Sequence, residues 1–170
     1  QLIASVLSKK IAAGATHGLI DIPVGPTAKV RTQQAADKLT ASFMTVGEQL
    51  GIKIQILYTD GTQPVGNGIG PALEAKDVMA VLQNETHAPQ DLKQRALTMA
   101  ATMLEMAGVE KPGCGVAKAS TVLESGAAWK KFTAICMAQG GMKQPGEAPY
   151  LFKLMADKQG IVSQVDNRRL

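Results

Sequence analysis

The stretch Gly18-Leu19-Ile20-Asp21-Ile22-Pro23-Val24-Gly25-Pro26-Thr27-Ala28-Lys29-Val30-Arg31 decides how the chain is to be read. An apolar run stops in two prolines and a glycine, and two cations follow. The run from Gly18 to Val24 predicts a strand, and Pro23 marks its end or an edge, because proline has no N–H to give to a ladder. Upstream, Leu2, Ile3, Val6, Leu7 and Ile11 recur at helical spacing, with Gly14 as a natural stop. Downstream, Thr32 or the loop before it opens a helix whose apolar face is Ala35, Ala36, Leu39, Phe43, Met44 and Val46. That helix runs to about Leu50, and Gly51 ends it. Lys53 to Tyr58 then alternates apolar and polar and predicts a second strand.

Strand, helix and strand in this order predict parallel pairing through a crossover helix. Helices dominate the remainder: Ala72 to Leu82, Gln90 to Ala107, Val116 to Leu123 and Ala127 to Ala138. The segment from Gln139 to Pro149 reads as a loop, and Gly160 to Val165 as a further strand. The expected architecture is α/β, a parallel or mixed sheet with crossover helices and a helical cover, forming a partial domain of a larger protein. The chain begins without Met inside an amphipathic pattern and ends just after that expected strand, the first of something missing, has begun, so an internal fragment is expected.

Hydrophobic content of 45% with 19% charged residues is that of a folded protein rather than a disordered one. The net charge of +4 is spread along the chain without a basic run, so no nucleic-acid partner is expected. Cys114 and Cys136 match no zinc spacing and read as reduced thiols. No apolar segment approaches the ~20 residues of a membrane span, and no signal peptide is visible, so the expected location is cytoplasmic.

Several features carry possible chemistry. The two strand-to-helix loops, Pro23 to Arg31 and Thr59 to Pro71, fall where α/β proteins place their sites. In the first, Pro23 and Pro26 stiffen the chain and Gly25 permits a sharp turn, holding Lys29 near the strand end. In the second, Gly66-Asn67-Gly68-Ile69-Gly70-Pro71 could offer amides to a phosphate at a helix N-terminus, but it is neither a dinucleotide fingerprint nor a Walker motif. A tight structural turn is the expectation there. His17 and His87 are isolated and read as surface residues, while Trp129 and Phe132 read as core anchors. Ser5 and Lys9 lie one helical turn apart on one face. Their hydroxyl and ammonium suit a planar ligand rich in carbonyls, although from spacing alone a solvent-exposed helix face is the expectation.

Three long stretches, "ASVLSKKIAAGATHGLIDIPVGPTAKVR", "TDGTQPVGNGIGPALEAKDV" and "ESGAAWKKFTAICMAQGG", resemble the pyrimidine nucleoside phosphorylase family. The likeness is greatest to archaeal AMP phosphorylases and their bacterial counterparts of the thymidine phosphorylase type, and it runs in order along essentially the whole chain. The resemblance implies reversible phosphorolysis, in which inorganic phosphate, a co-substrate, attacks the anomeric carbon and releases the base and a pentose 1-phosphate. It implies no metal or organic cofactor, a helical base-binding domain, a larger α/β phosphate-binding domain, and closure between them that excludes water. On that likeness residues 1–14 belong to or border the helical domain, 15–155 to the central α/β domain, and 156–170 to the start of a C-terminal domain.

The same resemblance implies roles for three residues. Ser5 and Lys9 would contact the pyrimidine, with Lys9 also catalytic, stabilising charge on the departing base. In AMP-phosphorylase-like members the serine and a lysine after the "IDIPVG" turn, here Lys29, bind the nucleotide. The family's general acid, phosphate-binding segments and base-contacting arginine would lie before Gln1, so the isolated chain is expected to be inert. The thymidine enzymes carry a "VKVGSGAF"-like stretch where this chain has "IDIPVGPTAKVR". The expected substrate is thymidine, with AMP as the rival and a homodimer as the expected assembly. Two other classes stand as alternatives: a phosphoribosyltransferase of the anthranilate type, whose Asp-Glu metal signature is not visible here, and a phosphorylase-like binding module without activity.

Overall fold

The computed structural model describes residues 2–146 and 148–170. Among these the chain forms six helices and two strands: α1 (Leu2–Ala12), β1 (His17–Val24), α2 (Gln33–Gln49), β2 (Lys53–Asp60), α3 (Pro71–Leu82), α4 (Gln90–Met106), α5 (Gly115–Glu124) and α6 (Ala127–Ala138). They divide into two compact units. One comprises Gln1–Pro64, Thr102–Gly115 and Gln164–Leu170; the other comprises Val65–Ala101 and Val116–Ser163.

In the first unit β1 and β2 pair in parallel, with Ile20 opposite Ile56 and Val24 opposite Asp60, and α2 is the crossover between them. The expected α/β arrangement is therefore present, and it is parallel. Thr32 starts α2 by accepting the amide of Ala35 at 3.2 Å. Gly51, at φ +69, lets the chain turn into β2. One face of the sheet is buried: Ile20, Ile22 and Ile54 join Leu7 of α1, Ala36 and Phe43 of α2, and Ile52 in the core. Gly47 allows α2 to press on β2, since a Cβ there would lie 2.5 Å from Ile54. Pro23 lies within β1 and is exposed, one residue before its end.

The second unit is helical. Ala80, Val81, Ala88 and Leu123 form its core, with Leu92, Leu97 and Ala128 packed around them. Asn84, left-handed at φ +56, follows α3 and donates its side-chain amide at 2.8 Å to the carbonyl of Leu123 near the end of α5, which also accepts the Gly126 amide at 3.1 Å. Two expectations are corrected. Trp129 and Phe132 are half-buried and stack on each other, with centroids 5.9 Å apart, instead of anchoring the core. Gly160 to Val165 forms no strand: Ile161 and Val162 are 96% and 79% exposed, and no described edge pairs with them. A strand needs a neighbour for its amides, and β-branched residues in a sequence do not supply one. Among the described residues no helix is long and apolar enough to cross a membrane.

Candidate functional site

The carboxyl end of β1 opens on a cavity of about 260 Å³ within the first unit. Ile20, Ile22 and Pro23 of β1, Leu39 and Phe43 of α2, and Leu2 and Val6 of α1 supply its apolar walls. Lys29, exposed on the loop after β1, completes the lining from the polar side. Among the described residues the Lys29 side chain forms no ion pair or hydrogen bond, so its ammonium is available to an anion.

Ser5 and Lys9 are exposed on α1 and lie outside the lining. A helix advances about 100° per residue, which sets Lys9 about 20° from Leu2 around the axis and Ser5 about 60° from it. The two residues therefore share the stripe of α1 that carries the cavity-lining Leu2. Along the axis they separate: the cavity joins Lys29 to Leu2 and Val6 of α1, whereas Lys10, next to Lys9, lies 3.8 Å from where a Cβ of Gly18 would stand, at the opposite end of β1, and Ser5, Lys9 and Lys29 are not joined by direct contact. Thr27 Oγ1, two residues before Lys29, is buried without a hydrogen-bond partner among the described residues.

The loop that carries Lys29 is closed from within. The amide of Gly25 donates to the carbonyl of Val30 at 3.1 Å, and that of Ala28 to the carbonyl of Gly25 at 3.0 Å. It is also tied to the end of β2, where the Gly61 amide donates to the Val24 carbonyl at 3.0 Å. Gly25 is not in the left-handed region, so its absent side chain serves close approach instead of a sharp turn. A Cβ there would stand 2.4 Å from both C and O of Gly61 and 2.7 Å from N of Thr62. That peptide is held in turn: Thr62 N–H donates to Asp60 Oδ1 at 2.8 Å, and Asn167 Nδ2 donates to the Gly61 carbonyl at 3.0 Å. Thr59 donates to Asp21 Oδ1 at 2.7 Å, a further side-chain link between the two strands.

The second candidate loop, in the helical unit, has its amides already engaged. Asp77 Oδ2 accepts from both Asn67 and Gly68 at 2.7 Å, Asp91 Oδ2 accepts from Gly66 at 3.0 Å, and Glu74 accepts from Gly70 at 3.0 Å. Carboxylates occupy the place a phosphate would take, so the glycines shape a structural turn. His87 is exposed and paired with Glu85 at 3.1 Å, and His17 is half-buried beside Thr16, so neither lies in the cavity. Sequence reasoning missed Gly61 and Asn167, which stand 36 and 142 residues beyond Gly25 and belong to no local pattern.

An α/β unit with a cation loop at a strand's carboxyl end defines a class of site for small anionic or carbonyl-rich ligands. The comparisons narrow the class. The chain is 56% identical over 168 residues to the protein named "Putative thymidine phosphorylase" of Hahella chejuensis, covering 99% of this chain and 33% of that protein. It is 55% identical over 170 residues to the protein of the same name from Ralstonia nicotianae, covering 100% of this chain and 34% of that protein. A third of that name, from Legionella pneumophila, is 56% identical over 170 residues, again 100% of this chain and 33% of that protein. No family model matches. The chain belongs to the nucleoside phosphorylase family that these relatives represent, and it spans about a third of their length.

Proposed function

We propose that a protein of the relatives' full length containing this chain is a pentosyltransferase that phosphorolyses a nucleoside. A phosphate oxygen attacks C1′, the C1′–N bond breaks, and the base departs with the bonding electrons. Thymidine is the first substrate assigned, giving thymine and 2-deoxyribose 1-phosphate. Ser5 and Lys9 contact the base, and Lys9 stabilises the charge that develops on it. Inorganic phosphate is the co-substrate and no other cofactor is required. The reading includes a cytoplasmic homodimer. What supports it is the placement of Lys29 in the wall of a cavity that α1 also lines, at the carboxyl end of β1.

The same observation favours a second reading. An unpaired ammonium in a wall whose other charged member, Asp21, already accepts from Thr59 suits a 5′-phosphate, which AMP carries and thymidine lacks, and the products would then be adenine and ribose 1,5-bisphosphate. Lys29→Ala in the full-length enzyme separates the two. The AMP reading expects kcat/KM for AMP to fall at least tenfold more than that for thymidine. Equal losses on both substrates would remove the 5′-phosphate role, and no turnover of either would overturn the proposed reaction.

A further inference from the structure

We propose that Asn167 is a positioning residue for the Lys29 loop, acting through the carbonyl of Gly61. The inference rests on the reading above, in which Lys29 touches substrate. Asn167 is half-buried, and its side-chain amide donates at 3.0 Å to a carbonyl 106 residues away in sequence. It is presented by a turn that satisfies itself: Asp166 Oδ1 accepts the amide of Arg168 at 2.9 Å, and the Asp166 carbonyl accepts that of Arg169 at 3.0 Å. The amide of Asn167 is thus free to act outward.

What it grips matters more than the bond itself. The Gly61–Thr62 peptide is fixed at its N–H by Asp60 and at its C=O by Asn167, and Gly25 lies against its atoms with no room for a methyl group. Gly25 in turn donates to Val30 and accepts from Ala28, the two residues that flank Lys29. A tilt of the Gly61 peptide must move Gly25, and with it both ends of the short segment that carries Lys29. The far end of the chain therefore helps to set where the cation stands.

The test uses the full-length protein with Asn167→Asp, which keeps the size but turns a donor into an acceptor facing a carbonyl, and with Asn167→Ala. Amide exchange at Gly25 and Ala28 is expected to quicken at least tenfold in both variants, while the Ile52 amide, bonded to Gly47 at the opposite end of β2, is unchanged. In phosphorolysis of thymidine and AMP, KM for the substrate held by Lys29 is expected to rise about tenfold with kcat within about twofold. In a Lys29→Ala background the same Asn167 change should add less than about twofold, because the two residues act as one unit. Unchanged exchange at Gly25 and Ala28 overturns the proposal, as does an equal kinetic penalty in both backgrounds. A Lys29→Ala variant without kinetic effect on either substrate removes the 5′-phosphate reading and the Asn167 role together, whereas a kinetically important Lys29 with an Asn167 change that has no effect removes the Asn167 role alone.

Discussion

Replacing Gly25 with alanine tests the packing beneath the candidate site. Gly25 has no positive φ, so alanine suits its backbone and the entire effect is collision. The new methyl carbon would stand 2.4 Å from C and O of Gly61, whereas carbon contacts settle at roughly 3.5–4.0 Å, so the two backbones must part by about 1 Å. Both partners are backbone and cannot rotate away as a side chain would. Overpacking of this kind costs about 1–3 kcal/mol. Weakening the Gly61-to-Val24 and Gly25-to-Val30 hydrogen bonds adds about 0.5–1.5 kcal/mol each. Alanine's stiffer unfolded chain returns about 0.4–1 kcal/mol. The net loss is about 3 kcal/mol, which lowers the thermal midpoint of the full-length protein by roughly 3 °C. A shift of ~1 Å in the loop also misplaces Lys29, and misplacements of that size cost ~10²-fold in rate. Calorimetry and steady-state phosphorolysis read the two effects. The control is Gly160→Ala, where nothing lies within 4 Å and both readings should be unchanged. If Gly25→Ala matches Gly160→Ala in both midpoint and kcat/KM, the close approach does not hold the loop and the reasoning fails.

Two further outcomes are expected. Asp77→Ala strands the amides of Asn67 and Gly68 and should cost about 2–4 kcal/mol, whereas Asp77→Asn keeps an acceptor oxygen without the charge and should cost about half as much; equal losses in denaturant melts would show that the carboxylate charge does not hold the turn. Leu7→Ala removes a fully buried side chain, and a loss of about 2–5 kcal/mol is expected in the same melts; a change under ~1 kcal/mol would mean that α1 does not seal the sheet.

The first unit was legible because each of its boundaries has a local cause. Ile20 and Ile22 alternate with half-exposed residues along β1, Thr32 caps α2, and Gly51 breaks it. The helical stripe of α1 was legible too, since the four-residue spacing of Ser5 and Lys9 places both on it. The β-branched residues Ile161, Val162 and Val165 misled, because a strand is completed by its neighbour. Trp129 and Phe132 misled for a similar reason: bulk marks a residue as suited to a core without saying which surfaces close over it.

The two strand-end loops show most plainly where local pattern stops informing. Both carry glycines, and the glycines have different tasks. In Gly66 to Gly70 the amides could have served a phosphate, and only the positions of Asp77 and Asp91, 11 and 25 residues after Gly66, decide that they do not. In Pro23 to Arg31 the prolines suggested that stiffness is built into the loop itself. The contacts place much of it elsewhere: Gly25 rests on the Gly61 peptide, and that peptide is held by Asn167 from the far end of the chain. A proline's φ can be read from its own letter, but a close approach of two backbones requires both partners to be known. The cation of a strand-end loop can be found by sequence pattern, therefore, while the contacts that fix its position are set by residues distant along the chain.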